Sequence, residues 1–123
     1  MIDASALLAL LNAEPGADTV ADALSDGVVS AVNLSEVIAR LSVAGMPENA
    51  VRQALRPLGL EVIPFDEEQA YQAGTLRTAT RNAELSLGDR ACLGLAKTLG
   101  VPALTADRVW ADLAVGVKIT VIR

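Results

Sequence analysis

The sequence predicts an α/β fold, a central parallel sheet of five strands with helices on both faces. Three observations predict it. Short apolar runs alternate along the chain with stretches of helical periodicity, the pattern of a parallel sheet with crossover helices. At 123 residues the chain has the length of one domain, 1–123, with no repeat, low-complexity tract or linker to divide it. And 52% of the residues are hydrophobic while 2% are aromatic, so the layers pack through Ala, Leu and Val.

The elements follow in order. Met1-Ile2 is a first strand cut short at Asp3. A helix covers Ser5–Leu11, broken by Glu14-Pro15-Gly16, and a second covers Ala17–Leu24. Asp26-Gly27 turns into a strand at Val28–Ala31. Asn33 is placed to cap a helix to Ala44, in which Leu34, Val37, Ile38 and Leu41 form one buried face. Pro47 starts a helix to Leu58, closed by Gly59, and Leu60–Ile63 is the third strand. Asp66 caps a helix over Glu67–Thr80, its Asp66-Glu67-Glu68 run suiting the positive end of the helix dipole. Ser86 caps Leu87–Leu99, which is apolar on most sides and therefore central. Ala103–Thr105 and Val117–Ile122 are the last two strands, with a short helix over Arg108–Leu113 between them.

Composition excludes several functions. There is no histidine, hence no imidazole base and no histidine–cysteine zinc site. The single cysteine, Cys92, forms no internal disulfide and reads as a small core residue in a reducing compartment. Ala4–Leu11 has the look of a short secretory core. Asp3 stands ahead of it with no Lys or Arg, so no signal peptide is read there. No stretch approaches the ~18 apolar residues of a membrane span, and a soluble cytoplasmic protein is expected. The net charge of −5 with a pI near 4.6 is unlike a conventional nucleic-acid binder.

Four acids are singled out by position. Ligands of open α/β sheets bind beyond the carboxyl ends of the strands. Asp3 directly follows the first strand and Asp107 lies two residues beyond the fourth. Glu36 and Asp89 each stand three residues after a capping residue, in Asn33-Leu-Ser-Glu36 and Ser86-Leu-Gly-Asp89, so both lie at helix starts facing the same edge. Each acid also has an ordinary role open to it. Glu36 and Asp89 fit capping boxes, Glu36 is spaced to pair with Arg40, Asp107 is placed to cap the short helix, and Asp3 to end a strand in solvent. All four roles at one edge of one sheet would require four coincidences.

Clustered carboxylates repel, and a divalent cation resolves the repulsion. Oxygen ligands suit Mg²⁺ or Mn²⁺, which also bind phosphate oxygens. A metal lowers the pKa of bound water, so no histidine base is needed. Arg40, Arg77, Arg81, Arg90 and Arg108 are the cations available to line an approach. Trp110 is read as core rather than as a base-stacking platform.

Asp3-Ala-Ser-Ala-Leu-Leu, Asn33-Leu-Ser-Glu36-Val, Leu85-Ser-Leu-Gly-Asp89-Arg-Ala-Cys-Leu-Gly-Leu-Ala and Leu104-Thr-Ala-Asp107-Arg-Val-Trp110 resemble the four motifs of PIN-domain nucleases. More narrowly, they resemble the VapC toxins of bacterial and archaeal toxin–antitoxin pairs. The resemblance runs over essentially the whole chain. It implies a three-layer PIN-like domain with sheet order 3-2-1-4-5 and Mg²⁺- or Mn²⁺-dependent endonucleolytic cleavage of RNA. The metal-binding and catalytic acids would be Asp3, Glu36, Asp89 and Asp107, with Ser5 and Thr105 as supporting hydroxyls. It also implies a homodimer silenced by a cognate VapB-type antitoxin.

Two other readings use the same residues. A Mg²⁺-binding phosphoacceptor, receiver-like or of the haloacid-dehalogenase phosphatase type, also places aspartates at a parallel sheet's edge. The phosphatase pattern needs a second Asp where Ser5 stands, and a receiver places a Lys after the last strand, whereas Lys118 starts it. A non-catalytic PIN scaffold would give no reason to keep four acids together.

Overall fold

A computed structural model describes residues 1–123. Helix α1 spans Ala4–Leu11 and α2 spans Ala17–Ala23. Strand β1, Val28–Ser30, runs directly into α3, Ala31–Val43. Then come α4 at Glu48–Leu55, β2 at Glu61–Ile63 and α5 at Glu67–Ala79. Helix α6 covers Leu87–Leu99, β3 Ala103–Thr105 and β4 Ile119–Val121. A 3₁₀ turn at Arg108–Asp112 stands where the short helix was expected.

The sheet departs from the five-stranded expectation. Four strands form two parallel pairs, β1 with β2 and β3 with β4, with Val29 opposite Val62 and Leu104 opposite Thr120. The expected first strand is a single bridge, Ile2 to Leu104, also parallel. Helix α1 begins at Ala4, so the extended segment turns away just after the bridge and the ladder does not continue past it. The segment is nonetheless bonded to both pairs. Ile2 N–H donates to Val28 O at 2.9 Å, while Asp3 N–H donates to Leu104 O at 2.9 Å and Leu104 N–H to Met1 O at 2.8 Å.

Extended backbone sends successive side chains to opposite faces, and the core divides accordingly. Met1 and Ala103 join Leu76, Cys92, Leu93 and Trp110 on the side of α5 and α6. Ile2 and Val29 join Leu7, Val20, Val37 and Val51 on the side of α1 to α4. Cys92 and Trp110 are fully buried, as core residues should be.

Several boundaries shift for local reasons. Ser30, not Asn33, caps α3, its hydroxyl accepting from Val32 N–H at 3.2 Å. Asn33 is therefore inside the helix and fully buried. Pro57 lacks the N–H that α4 needs to continue, and the chain tightens to 3₁₀ over Arg56–Leu58. The last strand shortens to Ile119–Val121. In α3, Val37 and Leu41 are buried, but Ile38 is exposed beside a groove that Leu34 also lines. The Asp66 cap and the complete Ser86–Asp89 capping box form as expected.

Candidate active site

The carboxyl edge of the strands is where the acids meet. Asp3 leaves the bridge beside β3, and Asp107 follows that strand by two residues. Glu36 projects from the second turn of α3, one turn later than expected because the helix begins at Ala31. Helix α6 follows α5 rather than a strand. It leads into β3 and so runs against it, which brings its N-terminus and Asp89 to the same edge. Asp3, Glu36, Asp89 and Asp107 line one open cleft of about 470 Å³, with Ser5 and Arg40. The larger groove, about 550 Å³, lies elsewhere, between α3, α4 and β2.

Asp3 is the buried member, 4% exposed. Ser5 Oγ–H donates to its Oδ2 at 2.6 Å and Thr105 Oγ1–H to the same oxygen at 3.0 Å. Each hydroxyl in turn accepts a backbone N–H at 3.0 Å, Ser5 from Ala106 and Thr105 from Asp107. The four bonds fix the direction of both hydroxyls and leave Asp3 Oδ1 without a side-chain partner. Burial raises the proton affinity of Asp3 above that of an ordinary carboxyl. The Ser5 and Thr105 hydrogen bonds oppose the rise, and Asp89 adds to it.

Glu36 is half-buried. Burial raises its proton affinity too, the Asn33 hydrogen bond opposes this, and Asp3 and Asp89 raise it further. Asn33 Nδ2 donates to Glu36 Oε1 and to Gly88 O, each at 3.0 Å. No Glu36–Arg40 ion pair forms; the ion pairs are Arg52–Glu48 and Arg123–Glu14. The Asn33–Glu36 capping box is also absent, since Asn33 is not the cap.

Asp89 and Asp107 serve their helix ends while lining the cleft. Asp89 Oδ2 accepts from Ser86 N–H at 3.0 Å, and Asp107 Oδ1 from Val109 N–H at 3.0 Å. Of the five candidate arginines, only Arg40 lines the cleft. Arg90 donates to Ala73 O and Arg108 to Arg123 O, both at 3.1 Å. The sequence reading missed Asn33 and Gly88 as site residues. Asn33 satisfied a cap pattern that Ser30 fills instead, and a helical glycine gives no signal until its neighbour is known.

Residues 1–116 match the PIN domain family. The chain belongs to that family. Its fold is similar to a chain of a toxin–antitoxin complex from Klebsiella pneumoniae, with a TM-score of 0.73 at 16% identity, covering 99% of this chain and 96% of that one. It is also similar to FitAcB from Neisseria gonorrhoeae, with a TM-score of 0.68 at 23% identity over 96% and 94% of the two chains. No curated protein matches it in sequence. PIN domains are generally nucleases, and PIN nucleases generally use divalent metal ions.

The cleft of this PIN domain fits such an ion in chemistry. Its donors are all carboxylate oxygens, and mutual repulsion with burial raises the proton affinity of Asp3 and Glu36, a strain that a cation would relieve. The four acids share the cleft without closing into a compact metal-ligand cluster.

Proposed function

We propose that this PIN domain, a single domain over 1–123, is a metal-dependent endoribonuclease and the toxin of a type II toxin–antitoxin pair. The observation that carries the reading is the convergence of Asp3, Glu36, Asp89 and Asp107 on one cleft around a buried carboxylate. Asp3, Asp89 and Asp107 would hold Mg²⁺ or Mn²⁺, and Glu36 would hold a second ion or orient the attacking water. The ion supplies an acidified water and a counter-charge for the scissile phosphate.

This chain's own residues prepare that chemistry. Ser5 and Thr105 tie down Asp3 Oδ2 and leave Oδ1 for the cleft. Arg40 is the cation at hand for a strand's phosphates. In-line attack would leave a 5′-phosphate and a 3′-hydroxyl.

The toxin role draws on the resemblance to VapC toxins and on the Klebsiella complex with the same fold. It implies a VapB-type antitoxin, a homodimer and a soluble, cytoplasmic protein; no helix here is long and apolar enough to cross a membrane. An acid-lined cleft suits an inhibitor with a basic side chain. The hydrogen bonds from residues 1–3 to both strand pairs support reading them as one sheet of order 3-2-1-4-5. The PIN match over residues 1–116 supports this reading over the receiver-like or phosphatase alternatives.

The test is cleavage of cellular RNA with Mn²⁺ or Mg²⁺, with EDTA, and by Asp3→Asn and Asp89→Asn. Cleavage should need the metal and both acids. Undiminished cleavage in EDTA, or by both variants, would overturn the assignment. Loss of cleavage in no variant because none exists in the native protein would leave a non-catalytic scaffold.

A further inference from the structure

Glu36 is the acid whose placement needs the most explaining. Its carboxylate sits on a flexible side chain in the second turn of α3, and no cation pairs with it. Yet it is half-buried in the cleft, close enough to Asp3 and Asp89 for their charges to raise its proton affinity. Something other than charge holds it there.

Two contacts do so. Asn33, one helical turn before Glu36, shares its face of α3. Its amide is fully buried, and Nδ2 spans the gap between helices, donating to Glu36 Oε1 and Gly88 O, each at 3.0 Å. The amide's orientation is fixed, because both of these partners are acceptors and only the NH₂ end can serve them. Its Oδ1 makes no hydrogen bond, so burying that end of the amide costs free energy. Gly88, the second residue of α6, completes the seat. A Cβ there would stand 2.5 Å from the Glu36 carboxyl carbon, overlapping the carboxylate. The φ of Gly88 is not in the left-handed region, so backbone conformation does not call for glycine. The space taken by Glu36 does.

We infer that Asn33 and Gly88 are positioning residues that seat the Glu36 carboxylate over the N-terminus of α6, beside Asp89. Asn33 pulls from α3 and bridges to the α6 backbone, and Gly88 leaves the room. The pair converts a mobile side chain into a fixed member of the cleft. This rests on the metal-nuclease reading above, and the experiment separates the two.

Mn²⁺ binding to the purified chain is titrated by electron paramagnetic resonance, with Asp3→Asn as the control on the reading. Asn33→Ala, Gly88→Ala, Glu36→Asp and the Glu36→Asp/Gly88→Ala double variant are compared, with Ser35→Ala as an exposed neighbour on α3 and circular dichroism to verify folding. Asn33→Ala and Gly88→Ala should each weaken Mn²⁺ binding ~10- to 100-fold, and Ser35→Ala should not. Shortening Glu36 withdraws the carboxylate from the added Cβ. The double variant should therefore bind at least ~5-fold more tightly than the product of the two single effects predicts, a rescue that a general disturbance of α6 would not give.

If the wild type binds no Mn²⁺, or Asp3→Asn binds it as well as the wild type, the metal reading falls and the inference with it. If those controls behave but Asn33→Ala and Gly88→Ala bind like the wild type, or the double variant is merely additive, the inference alone is overturned. Should Asn33→Ala fail to fold, the Glu36–Gly88 cycle decides the matter by itself.

Discussion

Thr105 donates its hydroxyl to Asp3 Oδ2 at 3.0 Å, joining two residues that are far apart in sequence and both almost fully buried. The same hydroxyl oxygen accepts from Asp107 N–H, so one side chain serves two of the four acids. Thr105→Val keeps the shape and removes both bonds. It should lower stability by about 1–3 kcal/mol in urea denaturation and weaken Mn²⁺ binding ~10- to 100-fold in the same titration. Stability and metal affinity like the wild type's would show that the hydroxyl is incidental.

Asp3 itself should make the metal-free protein less stable at neutral pH. Its folded proton affinity is raised above the ordinary value of 3.8 by burial. Between the ordinary and the raised pKa the folded state binds more protons than the unfolded one, so stability falls as pH rises through that window. Above it the loss is complete. Asp3→Asn removes the charge, keeps acceptors for Ser5 and Thr105, and should raise Tm in EDTA at pH 7 by roughly 2–5 °C while abolishing cleavage. Glu36, raised by the same cause, should add to the pH slope.

Metal binding should reverse that destabilisation and carry a proton signature. Mn²⁺ at 100 times its Kd should raise stability by about 2.7 kcal/mol. Because Asp3 and Glu36 hold protons more tightly than ordinary carboxyls, binding near the raised pKa values should release protons, seen as a buffer-dependent calorimetric heat. With Mn²⁺ well below its Kd, where metal-free protein dominates, the acid limb of RNA cleavage should then lie above the usual carboxylate range and move down as Mn²⁺ is raised. A limb that does not move with Mn²⁺ would show that neither residue must ionise for the metal to bind.

Ser86 separates structure from chemistry. Its hydroxyl accepts from Asp89 N–H at 3.1 Å, while its own N–H holds Asp89 Oδ2. Ser86→Ala loses the first bond and keeps the second, so Asp89 stays in place. Stability should drop by about 1 kcal/mol with cleavage little changed. A loss of cleavage as large as that of Asp89→Asn would mean that the cap itself serves the reaction.

Most of this fold was legible because its signals are local. Gly59 ends an element, Asp66 and Ser86 begin them, and alternating apolar runs set the layers; Pro57, which ends α4 early, was read through. Asp3, Asp89 and Asp107 were legible as acids at the sheet edge because strand and helix ends fix their positions. Asn33 was misread because its spacing to Glu36 imitates a capping box; that Ser30 takes the cap depends on the backbone leaving β1 directly into α3. Gly88 was not legible at all, since its reason is a carboxylate that arrives from a helix far earlier in the chain. The first strand was overread, because an apolar dipeptide before an acid carries no information on how many ladder bonds will form.

Arg40 offers the clearest test of substrate contact apart from the acids. It lines the cleft, is exposed, and makes no ion pair. An exposed arginine without a partner contributes little to folding, so Arg40→Ala should leave stability within about 0.5 kcal/mol of the wild type. If it meets a phosphate of the bound strand, its loss should raise KM for RNA and leave kcat nearly unchanged, because the contact is made equally before and during the reaction. The dependence of log K on log salt should become shallower by about 0.7, the increment for one phosphate contact on a single strand. Binding of a short RNA to the Asp3→Asn protein, measured by fluorescence anisotropy across a salt series, gives that slope without cleavage. An unchanged slope would place the RNA path on the other side of the cleft, away from α3.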